Sequence, residues 1–412
     1  MLSGCQNHSD LVQQSYVDSI VKNFNPEKAK AVNTAELNFW KNRIDPNRPG
    51  ISNELKLAYT FIRRFHLLGD IADLQKAERV LNQIDSLYNH KEASVYLSLT
   101  ETALLQHQFP KAYERLQKAK QLGLEKYLLH SFTFDVEFEL GRNDIATYNL
   151  SQMKSPVDYG YHFRRAKLFH LSGQPDSATA YMLKAASLAD QNQNLKAIAL
   201  ANAADFELHT GNIKEAVELF QTCLKINPND MHSLMGLGTI AMRTEQDYGS
   251  AEKLFNLAKS NYKLPDPVYK LYQLAQSRKD KAMEKKYASS FAKLASQKAY
   301  GKMYTKYLIE LYTGVLNNPA LAEQIAKEEL TNRSTPQTAA WYAWALFCNK
   351  KSKEAERVYK QQVSGKPLEG FELYYMGKLM KGINKGYTAE SFFKAAEENK
   401  FDLSPAMEDD LN

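Results

Sequence analysis

The sequence predicts an all-α solenoid built from about ten helix pairs, and three observations lead to that prediction. One alanine recurs at a nearly constant interval from Ala77 to Ala389. Apolar residues follow it at helical offsets, and turns rich in glycine, asparagine and proline separate the segments. Because a fixed interval of this length is typical of stacked supersecondary units, we expect one extended array of repeats.

The recurring alanine sets a period of about 35 residues, long enough for two helices and two turns. Between the first alanine and the last, the chain advances 312 residues in nine intervals. The positions are Ala77, Ala112, Ala146, Ala178, Ala216, Ala251, Ala282, Ala322, Ala355 and Ala389. Each interval is therefore expected to be one helix pair.

The residues after each alanine predict how the pairs stack. Most of the alanines are followed four residues later by a large apolar residue and many, seven later, by a second small one, as in Ala216, Phe220 and Cys223. Offsets of four and seven lie on one helix face. Small residues let helix backbones approach, and the large residue fills the space between repeats. If such repeats contact only their neighbours, the array should unfold with poor cooperativity.

The unit "AIALANAADFELHTGNIKEAVELFQTCLKINPND" (197–230) resembles the tetratricopeptide (TPR) repeat family. It carries the family's small residue at Ala204, followed by Gly211, the Ala216 stripe and Pro228. The resemblance extends over residues 55–397, although Lys286 and Ala326 stand where a large apolar residue is expected. It implies a right-handed superhelix whose concave groove binds other proteins.

The chain is predicted to divide into four parts. Residues 1–5 form the remnant of a lipid-attachment motif, and residues 6–54 form a tether and a capping helix. Residues 55–397 form the TPR array, and residues 398–412 form an acidic tail or a closing helix.

Composition and motifs argue against catalysis and against nucleic acid. The formal charge of +6 is scattered rather than clustered, whereas a phosphate-binding surface needs clustered charge. "GLGTIA" (236–241) matches a dinucleotide-binding pattern but follows no strand, and its glycines fit a packing role. His162 and His170 lack a third ligand nearby. We therefore expect a non-enzymatic protein without metal or cofactor.

The stretch Leu2-Ser3-Gly4-Cys5 resembles the lipobox of bacterial lipoproteins, although the charged and apolar regions of a signal peptide are absent upstream. The resemblance implies a lipid on Cys5 that holds the protein to a membrane of the bacterial cell envelope. Gln6 follows the cysteine in place of the aspartate that commonly retains such proteins inside, so the outer membrane is expected rather than the inner one.

The resemblance also predicts a partner-binding surface, because the first helix of each TPR pair lines the groove. The alanine positions place eight residues there, and their aromatic, thioether and charged side chains suit an extended peptide or a partner helix. They are Phe163, Lys167, His170, Asp205, His209, Met235, Thr239 and Met242.

Besides an enzyme whose site is built by residues far apart in the sequence, two alternatives remain open at the level of sequence. The first is a soluble cytosolic TPR regulator that responds to peptides, although the residues before the array are too few for a convincing effector domain. The second is an RNA-binding repeat protein, which the lack of a basic run disfavours.

Overall fold

The computed structural model describes residues 11–45 and 50–411, and all regular secondary structure in these residues is helical. Cys5 lies outside the described residues. The α-helices are α1 (Gln14–Asn23), α2 (Glu27–Lys41), α3 (Ile51–Leu68), α4 (Ile71–Leu87), α5 (Ala93–Leu105), α6 (Phe109–Leu122), α7 (Lys126–Glu139), α8 (Asn143–Gln152), α9 (Tyr159–Leu171), α10 (Pro175–Ser187), α11 (Gln193–His209), α12 (Ile213–Ile226), α13 (Met231–Arg243), α14 (Tyr248–Asn261), α15 (Asp266–Ser277), α16 (Lys281–Ala295), α17 (Thr305–Thr313), α18 (Pro319–Asn332), α19 (Pro336–Cys348), α20 (Ser352–Val358), α21 (Gly370–Gly382), α22 (Gly386–Glu398) and α23 (Pro405–Leu411).

Helices α3 to α22 pack as ten consecutive pairs, from α3 with α4 to α21 with α22, and each pair also packs against its neighbours. The predicted all-α array of about ten units is confirmed. Before the array, α2 packs on α3, whereas α1 packs on the distant helix α14. After the array, α23 contacts α15 and α22.

The recurring alanine lies on the second helix of each pair, and nine of the ten are at most 2% exposed. Ala282 is the exception, because its side chain is exposed on the first turn of α16. Asp280 caps that helix, so the position equivalent to Ala216, four residues after the cap, belongs to Glu284. The predicted packing role of Ala282 was wrong because the start of the helix, set by the cap, lies later than the alanine spacing implies.

Ala326 stands where a large apolar residue was expected, and the next helix makes up the volume. Ala322 and Ala326 are both fully buried in α18. They share a hydrophobic cluster with Trp341 of α19, whose side chain fills the space beside them. A small residue is therefore compatible with close packing at this position.

The motif "GLGTIA" serves close helix packing. A β-carbon on Gly236 would lie 2.4 Å from the ring of Phe220, and one on Gly238 would lie 2.6 Å from the ring of Phe255. Both phenylalanines are fully buried large residues of the stripe. The two glycines are thus the surfaces on α13 against which these rings pack.

The array returns on itself, because turns of the first pairs bind segments much later in the chain. The side-chain amide of Gln106 donates to the carbonyl of Ala299, 193 residues away, at 3.0 Å. The N–H of Lys302 donates in turn to the carbonyl of Gln106 at 3.1 Å. Further along, the Asn332 amide donates to the carbonyl of His107 at 2.9 Å. We call these bonds the turn-to-turn contacts.

Two glycines allow early and late segments of the array to approach closely, and one of them, Gly301, lies at the turn-to-turn contacts. Gly301 has a φ of 59°, and a β-carbon there would lie 2.3 Å from the carbonyl oxygen of Gln106. Gly69 has a φ of 66°, and a β-carbon there would lie 2.9 Å from the backbone nitrogen of Leu264. Both positions combine left-handed backbone with direct contact to the other turn, so only glycine fits them. The expectation that repeats contact only their neighbours is therefore corrected.

Two alanine-to-leucine substitutions test the packing of the second helices. Ala216→Leu should lower the free energy of unfolding by about 1–3 kcal/mol, because the added methylenes enter a fully packed contact. Ala282→Leu is the matched control on an exposed helix position and should change it by no more than about 0.5 kcal/mol. Urea denaturation measures both. Equal effects from the two substitutions would contradict the observed packing.

Candidate functional site

The turn-to-turn contacts bring two walls of first helices to face each other across an open space. The larger cavity has a volume of about 980 Å³. One wall comes from α7, α9 and α11, and the facing wall comes from α17, α19 and α21. A second cavity of about 340 Å³ lies against α11, α13 and α15. Lys306, Tyr307 and Glu369 line both cavities, which we together call the lumen.

Seven of the eight residues predicted for the groove line the lumen. Phe163, Lys167 and His170 lie in the larger cavity. The other four lie in the smaller cavity and are Asp205, His209, Met235 and Thr239.

Met242 is the one residue of the predicted set that lies away from the lumen. Its side chain is 1% exposed in a hydrophobic cluster that also contains Leu271 and Leu274 of α15. Because α15 covers the last turn of α13 on this side, the thioether is not available to a partner.

The facing wall brings residues that the repeat pattern did not identify. Lys306 lies 3.8 Å from the carboxylate of Glu372 and 3.9 Å from that of Glu369. The indole N–H of Trp341 donates to Glu372 at 2.6 Å. Burial raises the pKa of Glu372 to about 7, against the opposing effect of Lys306. These residues follow α9 and α11 by about a hundred residues or more, so only the closure of the array places them opposite Phe163.

A charge cluster joins the two walls of the larger cavity. Lys167 of α9 lies 3.1 Å from the carboxylate of Glu139, and Arg333, which follows α18, lies 3.7 Å from it. The ammonium of Lys167 also lies 4.4 Å from the centre of the Phe138 ring. Although burial opposes it, the two cations hold the pKa of Glu139 below its usual value. The Glu139 cluster is therefore charged but internally paired.

Asp205 and His232 form the main ion pair of the smaller cavity. The His232 imidazole lies 2.7 Å from the Asp205 carboxylate. The carboxylate raises the pKa of His232 to about 9, which exceeds the opposing effect of burial. Half of the His232 side chain is exposed, at 52%, so solvent screens this pair. The Asp205 carboxylate therefore favours the positively charged form of the histidine.

The predicted acidic C-terminal segment ends in a docked helix. Phe401, Asp402 and Leu403 form part of the smaller cavity's wall. The guanidinium of Arg243 donates to the carbonyls of Lys400, Phe401 and Leu403 at 2.7, 2.8 and 3.0 Å. It also bonds the Glu408 carboxylate at 2.7 Å. The surface around Arg243 thus already binds one acidic peptide segment, that of its own chain.

Within residues 11–45 and 50–411, we find no group of three histidine, cysteine or acidic side chains arranged to hold a metal ion. No helix of this described part is both long enough and apolar enough to cross a bilayer.

Comparison with known proteins identifies one repeat. Residues 197–230, which cover most of α11 and all of α12, match the sequence profile of the tetratricopeptide repeat. No curated protein matches the chain. The matched unit is one of the ten consecutive helix pairs, which together form an α-solenoid of TPR-like helix-turn-helix repeats.

Three solved structures show partial similarity to this chain. The structure of Pseudomonas aeruginosa pilF is 16% identical in sequence, and the match covers 51% of this chain and 96% of that chain. Its TM-score is 0.38. A tetratricopeptide repeat protein from Parabacteroides merdae shows 14% identity over 61% of this chain and 97% of that one, with a TM-score of 0.35. The human IFIT1 dimer shows 13% identity over 92% of this chain and 88% of that chain, with a TM-score of 0.44.

Proposed function

We propose that this protein is a non-catalytic scaffold that binds a peptide or helical segment of a partner protein in its lumen. The observation that carries the proposal is the lining of the larger cavity. Aromatic residues such as Phe163 and Trp341 lie beside Lys167 and Arg333 around about 980 Å³ of space. Apolar anchors supply affinity for a peptide, and charges fix its register.

The chemistry of the two described cysteines also favours binding over catalysis. Burial raises the pKa of the Cys348 thiol to about 12. Burial likewise raises the pKa of the Cys223 thiol to about 12, and Asp230 adds to the effect. Because the thiolate is the nucleophilic form, neither cysteine is activated for covalent chemistry at neutral pH.

We further propose that a lipid on Cys5 holds the scaffold to a membrane of a bacterial envelope, the outer membrane rather than the inner one. The support is the lipobox-like sequence Leu2-Ser3-Gly4-Cys5 with Gln6 after it. The several acyl chains that such a cysteine carries in lipoproteins would give stable attachment, whereas a single chain binds only marginally. In this position the scaffold would serve the assembly or regulation of envelope machinery.

Photo-crosslinking tests the lumen as the binding site. With p-benzoylphenylalanine in place of Phe163, irradiation of cells of the native host should produce a discrete protein adduct, because that side chain faces the larger cavity. The same residue in place of Lys184, exposed on the second helix α10, is the matched control and should yield none. Adducts at position 184 alone, or equal adducts at both positions, would contradict the proposal.

Membrane fractionation tests the anchor. The chain expressed with a lipoprotein signal sequence should sediment with outer membranes and partition into detergent, and Cys5→Ala should move it to the soluble fraction because the acyl chains are lost. The fraction of protein in each pool is measured by immunoblot. An alanine variant that remains membrane-bound to the same extent would refute lipid attachment at Cys5.

A further inference from the structure

The acidic groups of the lumen all have partners within the described residues. Glu139 is paired with Lys167 and Arg333, and Asp205 is paired with His232. The remaining contacts are those of Glu369 with Lys306, Glu372 with Lys306 and Trp341, Asp266 with Tyr304, and Asp402 with His209 and the Gly370 N–H.

Two cations of the lumen have no carboxylate within ion-pair distance among the described residues. Lys270 of α15 lines the smaller cavity, and no hydrogen bond or ion pair engages its ammonium. Burial and the neighbouring Arg243 lower its pKa to about 8, although the carboxylates of Asp205 and Asp266 in the same cavity act in the opposite direction. The ammonium is therefore influenced by these carboxylates but has no direct ion-pair partner among the described residues.

Arg165 of α9 is the second such cation. It lines the larger cavity, and its guanidinium carbon lies 4.9 Å from the centre of the Phe169 ring and 5.8 Å from that of Tyr181. Its Nε is buried and has no hydrogen-bond partner. Stacking on the rings holds the guanidinium in place and leaves the N–H donors of its two terminal nitrogens available to a ligand.

A ligand that brings carboxylates into this space would compensate charges that the chain leaves unpaired. Because Lys270 and Arg165 line different cavities, the ligand must extend past the shared residues Lys306 and Tyr307. The C-terminal segment shows that the surface beside Lys270 accepts a peptide: Arg243, which lines the same cavity, binds three of its carbonyls and the acidic Glu408.

We propose that the lumen recognises an acidic peptide segment, whose carboxylates pair with Lys270 and Arg165 and whose apolar side chains lie on the aromatic wall that includes Phe169 and Phe206. This inference rests on the proposed function and specifies the chemical class of the partner segment.

Peptide selection tests the inference with random sequences in place of the natural partner. A phage-displayed library of random twelve-residue peptides is selected against the full chain, against Lys270→Gln/Arg165→Gln, and against Lys184→Gln/Arg357→Gln. The last variant is the matched control, because both of its residues are exposed on second helices. Sequences selected by the unmodified chain and by the control should be at least about twofold enriched in aspartate and glutamate, and the first variant should lose that enrichment.

A synthetic peptide from the selected set gives the quantitative result. Its affinity, measured by fluorescence anisotropy, should fall at least about tenfold in Lys270→Gln/Arg165→Gln and at most about twofold in the control variant. Lys270→Arg, which keeps the positive charge, should retain the acidic enrichment. If circular dichroism shows that the double variant has lost helix content, this single variant still tests the inference.

Other outcomes separate this inference from the proposed function. Neutral or basic peptides that crosslink to benzoylphenylalanine at position 163 would overturn the acidic preference and leave the lumen as a peptide site. Acidic peptides bound equally by Lys270→Gln/Arg165→Gln would also overturn it. A further outcome is that no acidic peptide is selected, whereas glutarate raises the melting temperature of the protein and this rise requires Lys270. The carboxylate source would then be a small molecule, and the inference would fail.

Discussion

The turn-to-turn contacts, which join early and late segments of the array, are the interaction on which the remaining structure depends. A row of first helices by itself forms an open concave surface. The bonds from Gln106 to Ala299 and from Asn332 to His107 bring a second row opposite the first. The groove becomes a two-walled lumen, in which burial raises the pKa of Glu372 and lowers that of Lys270.

The closed array differs in its energetics from an open solenoid. Each inter-turn hydrogen bond contributes about 0.5–1.5 kcal/mol, so the contacts matter through their number and because they occur together. Asn332 is held by His107 only while both turns are folded, which couples repeats that are distant in sequence. Such coupling adds to the nearest-neighbour stacking that stabilises repeat arrays.

The sequence predicts what depends on local periodicity. The alanine stripe identifies the ten pairs because small and large residues must alternate on one helix face, and the same pattern places Phe163 and Asp205 on the inner wall. The position of Ala282 could not be predicted this way, since Asp280 determines where α16 begins. Lys306 and Trp341 could not be placed either, because their position opposite α9 depends on contacts between segments 193 or more residues apart. The anchor at Cys5 stays a prediction.

Hydrogen exchange in increasing urea tests the central claim that turn-to-turn contacts join the array into one closed body. Peptides from α5–α6 and from α17–α18 should lose protection at the same urea concentration, because each turn is stabilised by the other. Gly301→Ala, which would place a β-carbon 2.3 Å from the carbonyl of Gln106, should separate the two midpoints. Different midpoints in the unmodified chain, or coincident midpoints that persist in Gly301→Ala, would contradict this claim.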